Sequence, residues 1–143
     1  MHWSLPCIIF LDRLAKYLAH NHLFSTPLLP LNILSFGLDA NYGNLLELPN
    51  NFFSILNLFS ILILFYIIFW LHKKKKATQM CALLFILLGG LSNLFDRAYY
   101  QYVIDVFTLF NIFVFNIADV MILGGIARLV MTYAKPLEAS HNK

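Results

Sequence analysis

The sequence predicts an all-α integral membrane protein: four transmembrane helices, with a small extramembrane segment between the first two that could form a β-strand. Three observations carry this. The chain is 60% hydrophobic and only 12% charged over 143 residues, more apolar surface than a soluble domain of that length needs. The apolar residues gather in runs of roughly 20, the length that crosses about 30 Å at about 1.5 Å per residue. The alternating ten-residue segments of a transmembrane barrel, about that long each, are absent. Residues 1–143 read as one membrane domain, with helices at about 3–20, 52–71, 77–97 and 113–133 and outer segments at 23–51 and 98–112.

The first apolar run meets Asp12, Arg13 and Lys16 after about ten residues, enough for only about 15 Å of helix. It has neither the basic start nor the small-residue cleavage site of a secretory signal, and Leu5-Pro6-Cys7 lacks the context of a lipoprotein box. The segment reads as a first helix from about Trp3, either shallow and tilted or preceded by further residues in the natural protein. Asp12 and Lys16 stand at i, i+4 and can pair along one face. The plainer account, and the one the pattern alone favours, is a charged helix end at the interface with Arg13 and Lys16 snorkelling to headgroups.

Residues 23–51 carry Pro27, Pro30, Pro49, Gly37 and Gly43 and are too broken to span. Leu31 to Phe36 could form a strand, and Asn41-Tyr42-Gly43-Asn44 is a turn signal. Phe52 to Leu71 is the cleanest span, uncharged and ending at Trp70 as an interfacial anchor would. Lys73-Lys74-Lys75-Lys76 follows at once. Four lysines in a short loop between spans mark the cytoplasmic side. Ala77 to about Phe95 then returns outward, and Phe113 to Tyr133 crosses back, with Arg128 and Lys135 near its inner end. Both termini are therefore expected in the cytoplasm, and Pro136 to Lys143 as a polar tail.

The remaining composition excludes more than it suggests. The net charge of +3 comes largely from the lysine block and gives no reason to expect nucleic acid. Cys7 and Cys81 lie in apolar runs without metal-ligand spacing. His2, His20, His22, His72 and His141 fall at span ends or in tails, and read as interfacial residues. No metal or cofactor is expected.

The polar residues inside the apolar runs are where function should lie, because charge at such depth is costly. Asn93, Asp96 and Arg97 share a helical face at i, i+3 and i+4, and Asn116 and Asp119 repeat the i, i+3 spacing. In the expected topology these groups, with Asp12, Lys16 and Asp105, converge at the outer interface. Pairing of Asp96 with Arg97 or Lys16 explains one acid. Asp105 and Asp119 are left over. Two carboxylates in a poorly solvated site cannot both ionise easily and would share a proton, which suits them to polarise a water for attack on an amide.

The motifs Asn93-Leu94-Phe95-Asp96-Arg97, Val103-Ile104-Asp105-Val106 and Phe115-Asn116-Ile117-Ala118-Asp119 resemble those of the bacterial signal peptidase II family, the lipoprotein signal peptidases. That family shows N-x-x-D-R, V-x-D-F and F-N-x-A-D in this order. Asp12 and Lys16 are similar to its first-helix D-x-x-x-K. The resemblance implies an aspartic endopeptidase of the bacterial cytoplasmic (inner) membrane, acting without a cofactor as a monomer. Its substrates would be prolipoproteins, cut before a diacylglyceryl-modified cysteine, and its surroundings membrane lipids. Asp105 and Asp119 match the catalytic pair. Asn93, Asp96, Arg97, Asn116 and Ala118 match residues that shape the site, as do Asp12 and Lys16. Asn41 and Gly43 keep only the N-x-G of an outer motif. Arg13 and Ala15 stand where the family has glutamine and threonine, so the chain reads as a divergent member. The other classes considered are a non-catalytic protein of the same fold, serving lipoprotein binding or assembly, and an ion relay. The nearly apolar inner halves of the spans speak against the relay.

Overall fold

A computed structural model describes residues 4–23, 26–27, 33–42, 50–73 and 77–141. The elements run α1 (Ser4–His20), β1 (Thr26–Pro27), β2 (Leu34–Asn41), α2 (Asn50–Lys73), α3 (Ala77–Tyr100), β3 (Val103–Leu109), β4 (Phe113–Phe115) and α4 (Ile117–His141). Among the described residues three stretches are long and apolar enough to cross a membrane: Ile55–Lys73, Gln79–Tyr100 and Ile117–Ala134. α1 is different. Its 17 residues reach about 25 Å and include Asp12, Arg13 and Lys16.

α2 is apolar on every face, with Ile55, Phe59, Leu62, Tyr66 and Phe69 exposed. An all-round apolar helix left uncovered by its own chain is suited to lipid as its solvent. It docks on α3 through buried Ile61 and an Asn57 Nδ2 that donates to the Gly90 carbonyl at 3.3 Å.

α3 and α4 pack closest of all, because each brings a glycine to the crossing. A Cβ on Gly89 would lie 2.5 Å from the Ala118 carbonyl oxygen, and one on Gly125 would lie 2.6 Å from that of Ala82. Only bare backbone allows both approaches. This contact sets the C-terminal end of α3 against the N-terminal end of α4.

The strands form one antiparallel sheet in the order β1-β2-β3-β4. Phe36 pairs with Phe107, the register then shifts at a bulge, and Asp39 pairs with Asp105 and Asn41 with Val103. Ala19 near the end of α1 is buried with Ile104 and Val106 of β3, and Ala15, Phe36, Tyr100 and Phe107 pack around them. The sheet therefore sits on the end of α1 and covers the junction of α3 with α4.

The sheet corrects the all-α prediction. Residues 98–112 are predicted as a loop and 113 as a helix start, yet β3 and β4 occupy this stretch and α4 begins only at Ile117. Val103, Ile104, Asp105 and Val106 are all buried, so β3 is covered on both faces and shows no alternation of apolar with polar residues. The predicted strand at 31–36 is present further on, as Leu34–Asn41; Leu31 and Asn32 lie outside the described residues, as do Gly43 and Asn44 of the predicted turn.

Helix ends are also longer than predicted. α3 runs on to Tyr100 and closes where Gln101, at φ 68°, donates its backbone N–H to the Arg97 carbonyl at 3.1 Å. α4 continues through Pro136, which forfeits a backbone donor without ending the helix before His141. α1 closes in the left-handed residue His22, with Leu23 N–H to the Leu18 carbonyl at 3.1 Å. The ring of His20 lies against Tyr100 at 4.7 Å between centroids.

Candidate active site

The site lies where α1, α3, β2, β3 and the start of α4 meet. Five charged or amide side chains there are almost wholly removed from solvent: Asp12, Lys16, Asp96, Asp105 and Asn116 are each 1% exposed or less. Groups of this kind persist in an interior only when they are ion-paired or hydrogen-bonded. Each of them is.

Lys16 Nζ stands 2.7 Å from Asp96 Oδ2 and 3.2 Å from Asp12 Oδ2. Arg13 Nη2 reaches Asp96 Oδ1 at 2.7 Å, and its Nη1 donates to Ser92 Oγ at 3.0 Å. Ser92 Oγ in turn donates to Asp12 Oδ2 at 2.5 Å. The cluster holds two acids and two cations and is neutral as a unit. Its second task is structural, since Asp12 Oδ1 accepts the Ala118 backbone N–H at 2.9 Å. That N–H is one of the donors left without a partner at the start of α4. Ala118 thus enters the site through its backbone.

Here the structure departs from two sequence expectations. Asp96 pairs with Lys16, as one alternative has it, but its second partner is Arg13 and not Arg97. Arg13 and Lys16 do not snorkel to headgroups; Lys16 is fully buried and Arg13 lies between α1 and α3, stacked over the Phe95 ring at 4.8 Å. Both sit on the face of α1 that meets α3. Ser92, passed over in the sequence, is one turn before Asp96 on that same face, and this spacing is the signal that could have found it.

Asp119 is held by a reciprocal cap. Asn116 Oδ1 accepts the Asp119 backbone N–H at 2.9 Å, and Asp119 Oδ2 accepts the Asn116 N–H at 3.1 Å. This is a capping box, with an asparagine and an aspartate three residues apart. The other oxygen, Oδ1, accepts from Asn93 Nδ2 at 2.8 Å. Asp105 is gripped in the same manner, by Asn116 Nδ2 at 2.8 Å on Oδ1 and Asn41 Nδ2 at 2.9 Å on Oδ2.

The amide orientations follow from the network. Lys16 Nζ can only donate, so the Asn93 atom 3.0 Å from it is the oxygen, and the amide nitrogen faces Asp119. The Asp119 N–H fixes Asn116 likewise, leaving its nitrogen for Asp105 and for Asn93 Oδ1 at 3.2 Å. Asn93 and Asn116 therefore join the two acids through one continuous chain that ends on Lys16.

Burial pushes the Asp105 carboxyl up from its ordinary range, and the charge of Asp119 adds to this. The hydrogen bonds from Asn41 and Asn116 and the charge of Lys16 oppose it. Arg97, partly buried, lies in the field of Asp119, Asp105 and Asp96. Among the described residues its guanidinium makes no hydrogen bond or ion pair, so its side-chain donors are uncommitted. Asp39, the register partner of Asp105, is exposed and stays in water. Gly43 lies outside the described residues. Among these residues no cluster of three or more His, Cys, Asp or Glu could hold a metal ion.

A family model described as signal peptidase (SPase) II matches residues 5–135. The chain belongs to the signal peptidase II family. It is 34% identical over 140 residues to a lipoprotein signal peptidase of Caldicellulosiruptor bescii, covering 94% of this chain and 91% of that one. A lipoprotein signal peptidase of Coxiella burnetii is 34% identical over 145 residues, with 90% and 86% covered. Two solved structures, each a bacterial membrane enzyme determined by the in meso method, share the fold. Their TM-scores are 0.76 and 0.77 at 20% and 21% identity; they cover 88% and 95% of this chain, and it covers 86% and 87% of theirs. Arg13, one of the positions at which the sequence departs from the motif it resembles, has a definite place in the structure as the second cation on Asp96.

Proposed function

We propose that this signal peptidase II family member is an aspartic endopeptidase that removes signal peptides from diacylglyceryl-modified prolipoproteins, with Asp105 and Asp119 as its catalytic pair. The observation that carries this is the amide chain joining the acids. Each carboxylate is held by two donors, yet no cation forms an ion pair with either among the described residues. Acids so placed share one proton in place of both ionising. The ionised member takes a proton from water as the water oxygen attacks the scissile carbonyl carbon. The protonated member gives its proton to the carbonyl oxygen. The tetrahedral adduct then returns a proton to the amide nitrogen as the carbon–nitrogen bond breaks. Arg97, with its donors uncommitted, holds a backbone carbonyl of the bound peptide.

In this reading all four helices cross the bacterial cytoplasmic membrane, α1 being short and tilted. Both termini face the cytoplasm, the site lies at the outer face, and the protein acts as a monomer surrounded by lipid. Asn41 grips Asp105 from the outer segment and so belongs to the working site, and Gly43 is assigned to it by the N-x-G motif. The test is cleavage of a lipid-modified prolipoprotein peptide by purified protein in detergent, run beside Asp119→Asn. Processing by the parent and not by the variant is expected. A folded parent that binds the peptide without cutting it would overturn the proposal in favour of a non-catalytic binding protein.

A further inference from the structure

The β3–β4 hairpin ends in an exposed apolar tip whose sequence does not suit its backbone. Phe110 and Asn111 have φ of 54° and 55°, and the Ile112 N–H closes the turn on the Leu109 carbonyl at 3.1 Å. Two successive left-handed residues make the mirror-image turn that favours Asn-Gly. Asn111 adopts this cheaply, whereas a bulky phenylalanine at positive φ is a genuine outlier. The Phe110 ring gains no burial in exchange, being 58% exposed, with Ile112 at 74% and Phe113 at 63%. From Val106 to Phe115 there is no charged residue.

A hairpin standing in water has no use for such a tip. Lipid supplies one. Ile117, where the stretch able to cross a membrane begins in α4, follows β4 by two residues, and the next turns of that helix expose Val120 and Leu123. The apolar tip is thus continuous along the chain with a lipid-facing surface. The Phe110 N–H donates to the Ile33 carbonyl at 2.8 Å, which ties the tip to the start of β2, the strand that carries Asn41. We propose that Phe110, Ile112 and Phe113 insert into the bilayer that α4 enters, and that this anchor holds the sheet, with Asp105 and Asn41, against the helix ends. Side chains of this type favour the headgroup–acyl boundary.

The test uses full-length protein with Trp3 and Trp70 replaced by phenylalanine and a single reporter, Ile112→Trp. It is reconstituted in phosphatidylethanolamine–phosphatidylglycerol vesicles with or without lipid brominated along the acyl chain. Blue-shifted emission, most of it lost to brominated lipid and little to aqueous acrylamide, is the expected result. Adding Phe110→Asn, which suits the turn and keeps the fold, should reduce the bromine quenching. Emission open to acrylamide and untouched by bromine would overturn the proposal. Quenching that arises only when lipidated substrate is added would do the same, by making the tip a substrate contact. The proposal needs α4 in the membrane but not peptidase activity, so the inactive Asp105→Asn protein should give the same spectrum.

Discussion

Asp105 is buried against its own ionisation, and this separates its part in catalysis from its part in stability. Asp105→Asn and Asp119→Asn should each lower cleavage by about 10²–10⁴-fold, the usual contribution of a positioned acid or base. Their folded structure should survive. For Asp105 the fold favours the protonated form. Its stability contribution is therefore complete below the ordinary carboxylate range and is lost as pH rises through its raised folded value. The thermal stability of Asp105→Asn, compared with the parent from acid to neutral pH, should improve relative to it as pH rises. A relative stability that fell with pH would mean that the folded carboxylate is stabilised as an anion. Asp96 makes the contrast. With Lys16 and Arg13 both on it, Asp96→Asn should cost about 3–5 kcal/mol by leaving buried cations short of charge. Arg13→Gln should cost less, about 1.5 kcal/mol, since its guanidinium is 31% exposed and Lys16 still holds Asp96. Chemical denaturation of the two variants measures the order. Equal losses would remove Lys16 as the principal partner.

At the scale of elements, the α3–α4 crossing controls whether Asn93 can meet Asn116. The contact between them is 3.2 Å and tolerates little spreading of the helices. Gly89→Ala and Gly125→Ala would each drive a methyl group into a facing carbonyl, and overpacking of this kind costs about 1–3 kcal/mol. Both should lower the melting temperature in detergent and reduce activity beyond the loss of folded protein. Gly124→Ala meets nothing within 4 Å and should do neither. If all three behaved alike, intrinsic helix preference and not close approach would be the cause. The helices around these glycines were legible because spans must be apolar over a length that the bilayer dictates. The sheet was legible only in part. A strand buried on both faces carries no period to read, and β3 was judged by whether it could span, which a strand of 7 residues cannot. In the site, the i, i+3 and i, i+4 spacings brought out Asp12, Lys16, Asn93, Asp96, Asn116 and Asp119. The same rule offers Asp96 the partners Arg97 and Lys16 and misses Arg13, because partners on different helices depend on which faces meet, and one sequence does not record that.

For the whole molecule, the decisive feature is that charge and chemistry occupy opposite ends. α2 ends at Lys73 and α3 begins at Ala77, so the lysine loop adjoins the end of the bundle where α3 starts. Asn93, Asp96 and Arg97 are near the far end of α3, and Asp119 is in the first turn of α4, which runs back the other way. In the proposed topology, with α3 spanning the bilayer, the polar network lies across it from Lys73. Positive loops resist translocation and stay in the cytoplasm. A reporter fused after Lys143 should consequently read as cytoplasmic and one inserted near Asn44 as external. Replacing Lys73 to Lys76 with glutamine should mix the two orientations, since only Arg128, Lys135 and Lys143 remain to bias α4. A cytoplasmic Asn44 reporter in the parent would turn the bundle over. It would leave the fold and the hydrogen-bonded pair intact but put the acids on the wrong side for a substrate emerging from the cell, and the peptidase proposal would fail with the topology.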